Sequence, residues 1–562
     1  MPLVQTDVVA AVALVLFLSF DQFAMADPGG QVSITEAGQA QEADQKKSPT
    51  TKPKALERFE IDEYRIQGAK ALEQIVVEEA VYPFLGPNRT PEDVEKARAA
   101  LEKVYHDQGY QAVVVSIPQQ NASTGVITLV VSENRVGRVR VKGARYYDPD
   151  TIKRGAPAVA EGKIVNFNDV TKDIVGLNQW PDRRVTPALK AGVAPGTVDI
   201  DLNVEDKVPY HGNVEFNNRK SPGTTPFRIT STFHYDNLWQ LGNSFSFTYQ
   251  VAPERVKDAQ VFSASYLARI PEFEYLSLLM YGLKSNSDVA TIGGTDVVGP
   301  GEVAGARIVL TLPTRENFFH TVSFGADYKH FEQVVGENVA SDSTPVTYAP
   351  IVLSYNASWQ TEGALTQLTA AATFGLRGIG SSPAEFDAKR YNAQANFMHV
   401  NADVSHTHDL PAGFQVYGRL AGQLSDQPLV SSEQSSLGGL DTVRGYLESE
   451  VLADDSLYGT LEFRSPNLGP MLTKALEDNG SHTANFFNEW RFFGFADGAT
   501  SFIHDPLSEQ QAHFNLWSYG IGTKFKLSDY FNGMVVLSVP MISQTYTQAR
   551  DPRMNFRVWG EF

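Results

Sequence analysis

From Pro209 to the last residue the chain follows a two-residue rhythm. Phe227, Ile229, Phe233 and Tyr235 alternate with Arg228, Thr230, Thr232, His234 and Asp236. Phe245, Phe247, Tyr249 and Val251 alternate in the same way with Ser244, Ser246, Thr248 and Gln250. An apolar face backed by small polar residues suits a strand between lipid and a wet lumen. The pattern predicts about sixteen such strands, an even number usual for single-chain bacterial barrels. The last, Asn555 to Phe562, sets Phe556, Val558 and Phe562 on one side and Asn555, Arg557 and Glu561 on the other. A soluble sandwich would leave that aromatic strand as an open edge, whereas a closed barrel pairs it with the first strand. Phe556, Val558 and Phe562 are therefore the expected barrel-closure signal.

Before Pro209 the pattern is α+β. Phe59 to Ile66 reads as a strand ending at Gly68. Thr90-Pro91-Glu92-Asp93 starts a helix, with a capping Thr, Pro at the first helical position and an acid at the third. Val94, Ala97, Leu101, Val104 and Tyr105 share a face of that helix, and Gly109 ends it. Strands Ala112–Ile117 and Val126–Val131 follow. The plan then recurs: a strand over Val139–Gly143, a helix over Asn168–Gln179, a second short helical piece over Val185–Lys190, and a strand over Val198–Val204. Two small modules in tandem result, spanning 56–135 and 136–207.

Ahead of them, Val8 to Phe20 is a short apolar run followed by Ala24-Met25-Ala26. The run is too short to cross a bilayer as a helix and carries an Ala-x-Ala cleavage site, so residues 1–26 read as a secretory signal. Residues 27–55, rich in Gly, Gln, Ser, Thr, Lys and Pro, read as a flexible linker with room for a plug segment. The remainder, 208–562, is the barrel.

Composition narrows the chemistry. The chain has 562 residues, 42% of them hydrophobic, with a formal net charge of −18 and no cysteine. Its mean hydropathy of −0.23 is too polar for a bundle of membrane helices but natural for a barrel that shows only alternate residues to lipid. The acidic balance argues against a nucleic-acid partner. Without cysteine there are no disulfides, thiolate metal sites or Cys nucleophiles, which suits an oxidising, extracytoplasmic space.

Two motifs stand out in the barrel region. Gly438-Gly439-Leu440-Asp441-Thr442-Val443-Arg444-Gly445-Tyr446 lies between the expected eleventh strand (Phe414–Leu424) and twelfth (Ser456–Arg464). About fifty residues on comes Phe495-Ala496-Asp497-Gly498. In the second module, Asn178, Pro181, Arg183 and Val185 fall in an Asn-x-x-Pro-x-Arg-x-Val pattern, followed by Gly192, Gly196 and Thr197. With these motifs in this order the chain, from about Phe59 to Phe562, resembles the two-partner secretion transporters of the haemolysin-activator and filamentous-haemagglutinin-exporter group. That group is related to the BamA assembly factors.

The resemblance implies that the two modules are POTRA domains, the second of the ShlB type, although Ala191 replaces the usual Pro before Gly192. It implies that loop 425–455 folds into the lumen, where Arg444 pairs with Asp497, with Val443, Gly445, Tyr446 and Phe495 completing a loop-to-barrel lock. A guanidinium in a lumen needs a neutralising carboxylate, and a bidentate pair fixes orientation as well as charge.

The implied function is export, with or without activation, of a large exoprotein captured unfolded through its amino-terminal secretion domain. The implied setting is the outer membrane of a Gram-negative cell with the modules in the periplasm, insertion depending on outer-membrane lipid and the barrel-assembly machinery. The competing function is an assembly factor of the BamA/TamA type. A passive porin would leave both modules and the Arg-Gly-Tyr loop unexplained. No nucleophile elbow, phosphate loop or His-Glu-x-x-His is present, so neither an enzyme nor a cofactor is expected. His406 and His408 beside Asp409 read as decoration of a periplasmic turn rather than metal ligands, and no metal site is expected.

Overall fold

The structure, a computed structural model, describes residues 58–562 apart from 179, 181, 271–272, 274, 288, 293–294, 314–316, 333–344 and 479–485. The expected signal, the linker and Pro181 lie outside the described residues. The chain divides into two compact units, one ending at Pro209 and the other starting at Tyr210.

The first unit contains two modules of similar plan. In the first, Glu63–Gln67 runs parallel to Val126–Glu133, whose other side pairs antiparallel with Val113–Ser116. Helices Gln74–Val81 and Pro91–Asp107 bury Val77, Val81, Ala97, Leu101 and Tyr105 against this sheet. Thr90 and Asp93 form the expected capping box. The single strand expected over Phe59 to Ile66 is two: Phe59–Ile61 pairs with Gly86–Arg89, and only Glu63–Gln67 joins the larger sheet. The break falls at Asp62, whose N–H donates to the Gly125 carbonyl (2.8 Å).

In the second module Arg135–Lys142 runs parallel to Thr197–Asp206, which pairs antiparallel with Arg183–Ala191. The helical piece expected over Val185–Lys190 is therefore a strand. Val185 is buried between exposed Arg184 and Thr186, the alternation a half-buried sheet imposes, and β-branched side chains suit that surface. Pro187 is tolerated because the strand lies at the sheet edge. Asp201 on the central strand accepts hydrogen bonds from Lys142 and Lys190, which hold its carboxyl well below the usual range.

The modules meet through backbone polar groups. Gly109, which ends the long helix of the first, accepts the Phe167 N–H (2.8 Å). The Asn166 side chain donates to the Gln108 carbonyl (3.0 Å) while its oxygen caps the Phe167–Leu177 helix.

The second unit is a closed antiparallel barrel of sixteen strands. In chain order they are β1 Tyr210–Asn217, β2 Arg228–Leu238, β3 Asn243–Val251, β4 Gln260–Arg269, β5 Leu276–Ser285, β6 Gly301–Thr311, β7 Phe318–Phe331 and β8 Ile351–Thr361. There follow β9 Ala364–Phe374, β10 Met398–Asp409, β11 Gln415–Ser425, β12 Asp455–Arg464, β13 Phe487–Phe502, β14 His513–Leu527, β15 Phe531–Pro540 and β16 Arg553–Glu561. A short piece, Val346–Tyr348, pairs with the far end of β7 ahead of β8. Alternation decides the two faces. Phe233, Phe324, Leu461, Phe463 and Ile521 are exposed outward, and Glu215, Arg307, Asp327, Glu462 and Asp497 are buried inward.

Closure follows the expected parity. β16 pairs with β1 from Arg557–Asn217 to Glu561–Asn213, and Phe562 exchanges two backbone hydrogen bonds with Gly212. Phe556 packs on Phe216 (5.5 Å between ring centroids), Val558 stands opposite Phe216, and Phe562 is largely exposed. Arg557, on the opposite face, pairs with Glu215 (2.6 Å). His406 and His408 do not lie in a turn. They belong to β10 and share its outward face with Val404, their rings stacked at 5.9 Å.

Candidate functional site: the loop inside the barrel

The segment between β11 and β12 runs from 426 to 454 and folds inward. A small hairpin pairs Ser435–Leu437 with Val451–Ala453. From Leu437 to Ser449 nearly every residue is buried, Asp441 and Thr442 excepted. Gly438 and Gly439 reverse the chain at the start of the tip, and the Gly438 N–H donates to the Thr442 hydroxyl (2.9 Å).

Arg444 is the centre of the site. Its Nε and Nη2 donate to the two oxygens of Asp497 (2.7 and 2.6 Å), and its own backbone N–H donates to Asp497 Oδ2 (3.0 Å). Nη1 donates to Glu462 Oε1 (2.6 Å), whose other oxygen is held by Arg464. The guanidinium lies 3.5 Å over the Phe495 ring centroid. Asp497 on β13 is fully buried, and Arg444 is nearly so. A charge this buried is costly without a partner. A bidentate carboxylate, a second carboxylate and an aromatic face together offset the cost.

The neighbouring residues fix the loop to the wall. Gly445 has φ +95°, a conformation L side chains rarely adopt, and an added Cβ would stand 3.2 Å from the Pro540 nitrogen. The Tyr446 hydroxyl donates to the Ile542 carbonyl (2.8 Å) and accepts from the Trp517 N–H (3.3 Å). Val443 is buried with Leu437, Tyr446, Val451 and Leu516.

Three further anchors were not legible in the sequence. Arg219, in the β1–β2 loop, forms a fork to Glu448 (2.9 and 3.0 Å) and an ion pair with Asp441 (2.6 Å). Glu433 takes Lys329 of β7 (2.6 Å), His399 of β10 (3.0 Å) and the Tyr348 hydroxyl (2.6 Å). Arg419 of β11 donates to the Asp441 carbonyl (2.7 Å) and pairs with Asp403. Glu462 had one available signal, its place on the inward face of a strand two residues before an Arg.

The second-module motif does structural work away from this loop. Asn178 bonds both backbone groups of Val185 (2.7 and 3.1 Å), which ties the helix end to the edge strand. Arg183 is buried, its guanidinium 4.3 Å from the Trp180 ring centroid and 5.2 Å from that of Tyr147. Gly192 and Gly196 bracket the turn into the central strand, and the Gly192 N–H donates to the Thr197 carbonyl (2.9 Å).

A closed sixteen-stranded barrel with a long loop drawn inward, preceded by paired α/β modules, defines an outer-membrane polypeptide transporter. The chain belongs to the Haemolysin secretion/activation protein ShlB/FhaC/HecB family, which matches residues 196–479, about half its length. The POTRA domain of ShlB type matches residues 59–134, the first module, whereas the sequence reading attaches that type to the second. The chain is 22% identical over 406 residues to outer membrane transporter CdiB of Dickeya dadantii (69% of this chain, 70% of the relative). It is 19% identical over 398 residues to heme/hemopexin transporter protein HuxB of Haemophilus influenzae (68% and 67%).

Among solved structures, CdiB from Escherichia coli is similar over 92% of this chain and 93% of its own, with a TM-score of 0.65 at 17% identity. A BamA structure from Haemophilus ducreyi lacking POTRA domains 1–3 covers 90% of this chain and 100% of its own, with a TM-score of 0.52 at 14% identity. The protein is thus a two-partner secretion transporter of the outer membrane, with POTRA domains in the periplasm.

Proposed function

We propose that this transporter exports a large exoprotein whose amino-terminal secretion domain binds the periplasmic modules while unfolded. The client then passes through the lumen now occupied by residues 426–454. The observation that carries this reading is that a connecting loop lies across the inward face of the barrel, held at Arg444, Glu448 and Glu433 by discrete charged pairs. When the loop moves, both members of each pair come into the wet lumen together, so neither charge is left buried alone, the outcome that costs most.

In the first module Val113–Ser116 is an edge strand with Val114 half exposed, a place where an extended client segment can add as a further strand. Arg444, Asp497, Val443, Gly445, Tyr446 and Phe495 act as the lock of the resting loop. Phe556, Val558 and Phe562 act in barrel closure during insertion into outer-membrane lipid by the assembly machinery. No nucleotide is required, because folding outside the cell biases the movement.

The test is export in a Gram-negative host that makes both this chain and a large exoprotein with an amino-terminal secretion domain. The exoprotein should reach the medium only when the transporter is present. Deleting residues 58–207 should leave an inserted barrel and abolish release. Undiminished release by that deletion would refute capture by the modules.

A further inference from the structure

We propose that His211, His234 and Asp236 form a binding site for a transition-metal dication of the zinc class at the periplasmic end of the barrel lumen. His211 of β1 stands directly opposite His234 of β2 in the strand register, and their rings stack at 4.8 Å. Asp236 lies two residues beyond His234 on the same inward face, with its Oδ2 3.2 Å from His234 Nε2. One ligand atom from each of the three falls within 4.8 Å of the others. In a tetrahedral site with bonds of about 2.0–2.2 Å, ligand atoms stand roughly 3.3 Å apart, so small side-chain rotations suffice.

Two features distinguish this trio from ordinary lumen polarity. The β2–β3 register shifts between Tyr235 and Leu238, so Asp236 and Asn237 together face Ser244 alone. Bulges of this kind re-aim a side chain and recur at functional sites, and this one lies at the carboxylate. The Ser244 hydroxyl hydrogen-bonds Asp236, the outer support that metal-binding carboxylates commonly have. Secondly, the two imidazoles stand directly opposite each other, so both rings offer nitrogen ligands to the same point of the lumen. A dication held by the two imidazoles and the carboxylate would leave a coordination position open to lumen water. Bound there, the ion would clasp β1 to β2 beside the seam where β1 also pairs with β16.

The experiment uses the untagged full chain in detergent, stripped with chelator, and titrated with Zn2+ by calorimetry and with Co2+ by visible absorption. One equivalent of Zn2+ should bind, and Co2+ should give the intense bands of a tetrahedral nitrogen–oxygen site. His211→Gln, His234→Gln and Asp236→Asn should each weaken binding at least about tenfold, since losing a ligand costs no less than losing its outer support. His406→Gln and His408→Gln, on the outward face of β10, should change nothing. Heat-modifiable gel mobility would establish that each variant is folded. Absence of stoichiometric Zn2+ binding by the unmodified chain overturns the proposal, whatever the variants do. So does binding that survives His234→Gln and is lost in His406→Gln or His408→Gln.

Discussion

Arg444 has two carboxylate partners, and they are not equivalent. Asp497 accepts three hydrogen bonds from this one residue, two of them side by side, while Glu462 accepts one and is shared with Arg464. Asp497→Ala should therefore loosen the loop more than Glu462→Ala. Breaking a buried pair costs about 3–5 kcal/mol when one charge is left alone, and the remaining Glu462 reduces that figure here. Arg444→Ala leaves the fully buried Asp497 with only the backbone N–H of residue 444 as a partner and should loosen the loop at least as much as Asp497→Ala. The double variant should fall short of the sum by about 0.5–3 kcal/mol, the coupling of a pair in contact. Protease cleavage within residues 426–454 of inserted barrels measures the loosening, and export per barrel measures its consequence. Equal cleavage in all variants would separate the pair from the loop's position.

Gly445→Ala should loosen the loop by about 1–2 kcal/mol through its positive φ alone, with the Pro540 contact adding to it. The loop motif and the Phe-x-Asp motif are legible as motifs because both are compact. Arg219 and Glu448, 229 residues apart, leave no local pattern to find.

At the scale of elements, the two-residue period located the barrel strands well because one face meets lipid and the other water. The second module was harder. Ala188, Leu189 and Lys190 are good helix formers, and pairing with Thr197–Asp206 overrode that preference. The division of Phe59 to Ile66 between two sheets depends on Gly125, more than sixty residues away, and could not be read locally.

The closing strand gives the prediction for this scale. Phe562→Asp should lower the amount of heat-modifiable barrel in the outer membrane while export per inserted barrel stays near normal. The Phe562 ring covers Gly212 at the end of the β1–β16 seam, so the defect lies in bringing first and last strands together. A charge near the membrane interface costs only about 0–1 kcal/mol in the finished barrel. Normal insertion with collapsed export would instead give this strand a role in translocation.

The whole molecule has two units with separate cores, and the boundary at Pro209–Tyr210 falls within two residues of where the periodicity changes. Because each module buries its own helices on its own sheet, the fragment 58–207 should be monodisperse, show cooperative thermal unfolding, and bind the unfolded secretion domain of the client without the barrel. A folded fragment with no measurable affinity would move client capture elsewhere.

The passage of the client through the lumen is tested most directly by photo-crosslinking a stalled export intermediate. Probes would be placed at Thr373 and Asn401, which face inward on β9 and β10, and at Leu353 and Leu457, which face outward on β8 and β12. Client adducts are expected from the two inward positions and none from the outward pair. Adducts only from Leu353 or Leu457, or export without any adduct from Thr373 and Asn401, would contradict passage through the lumen.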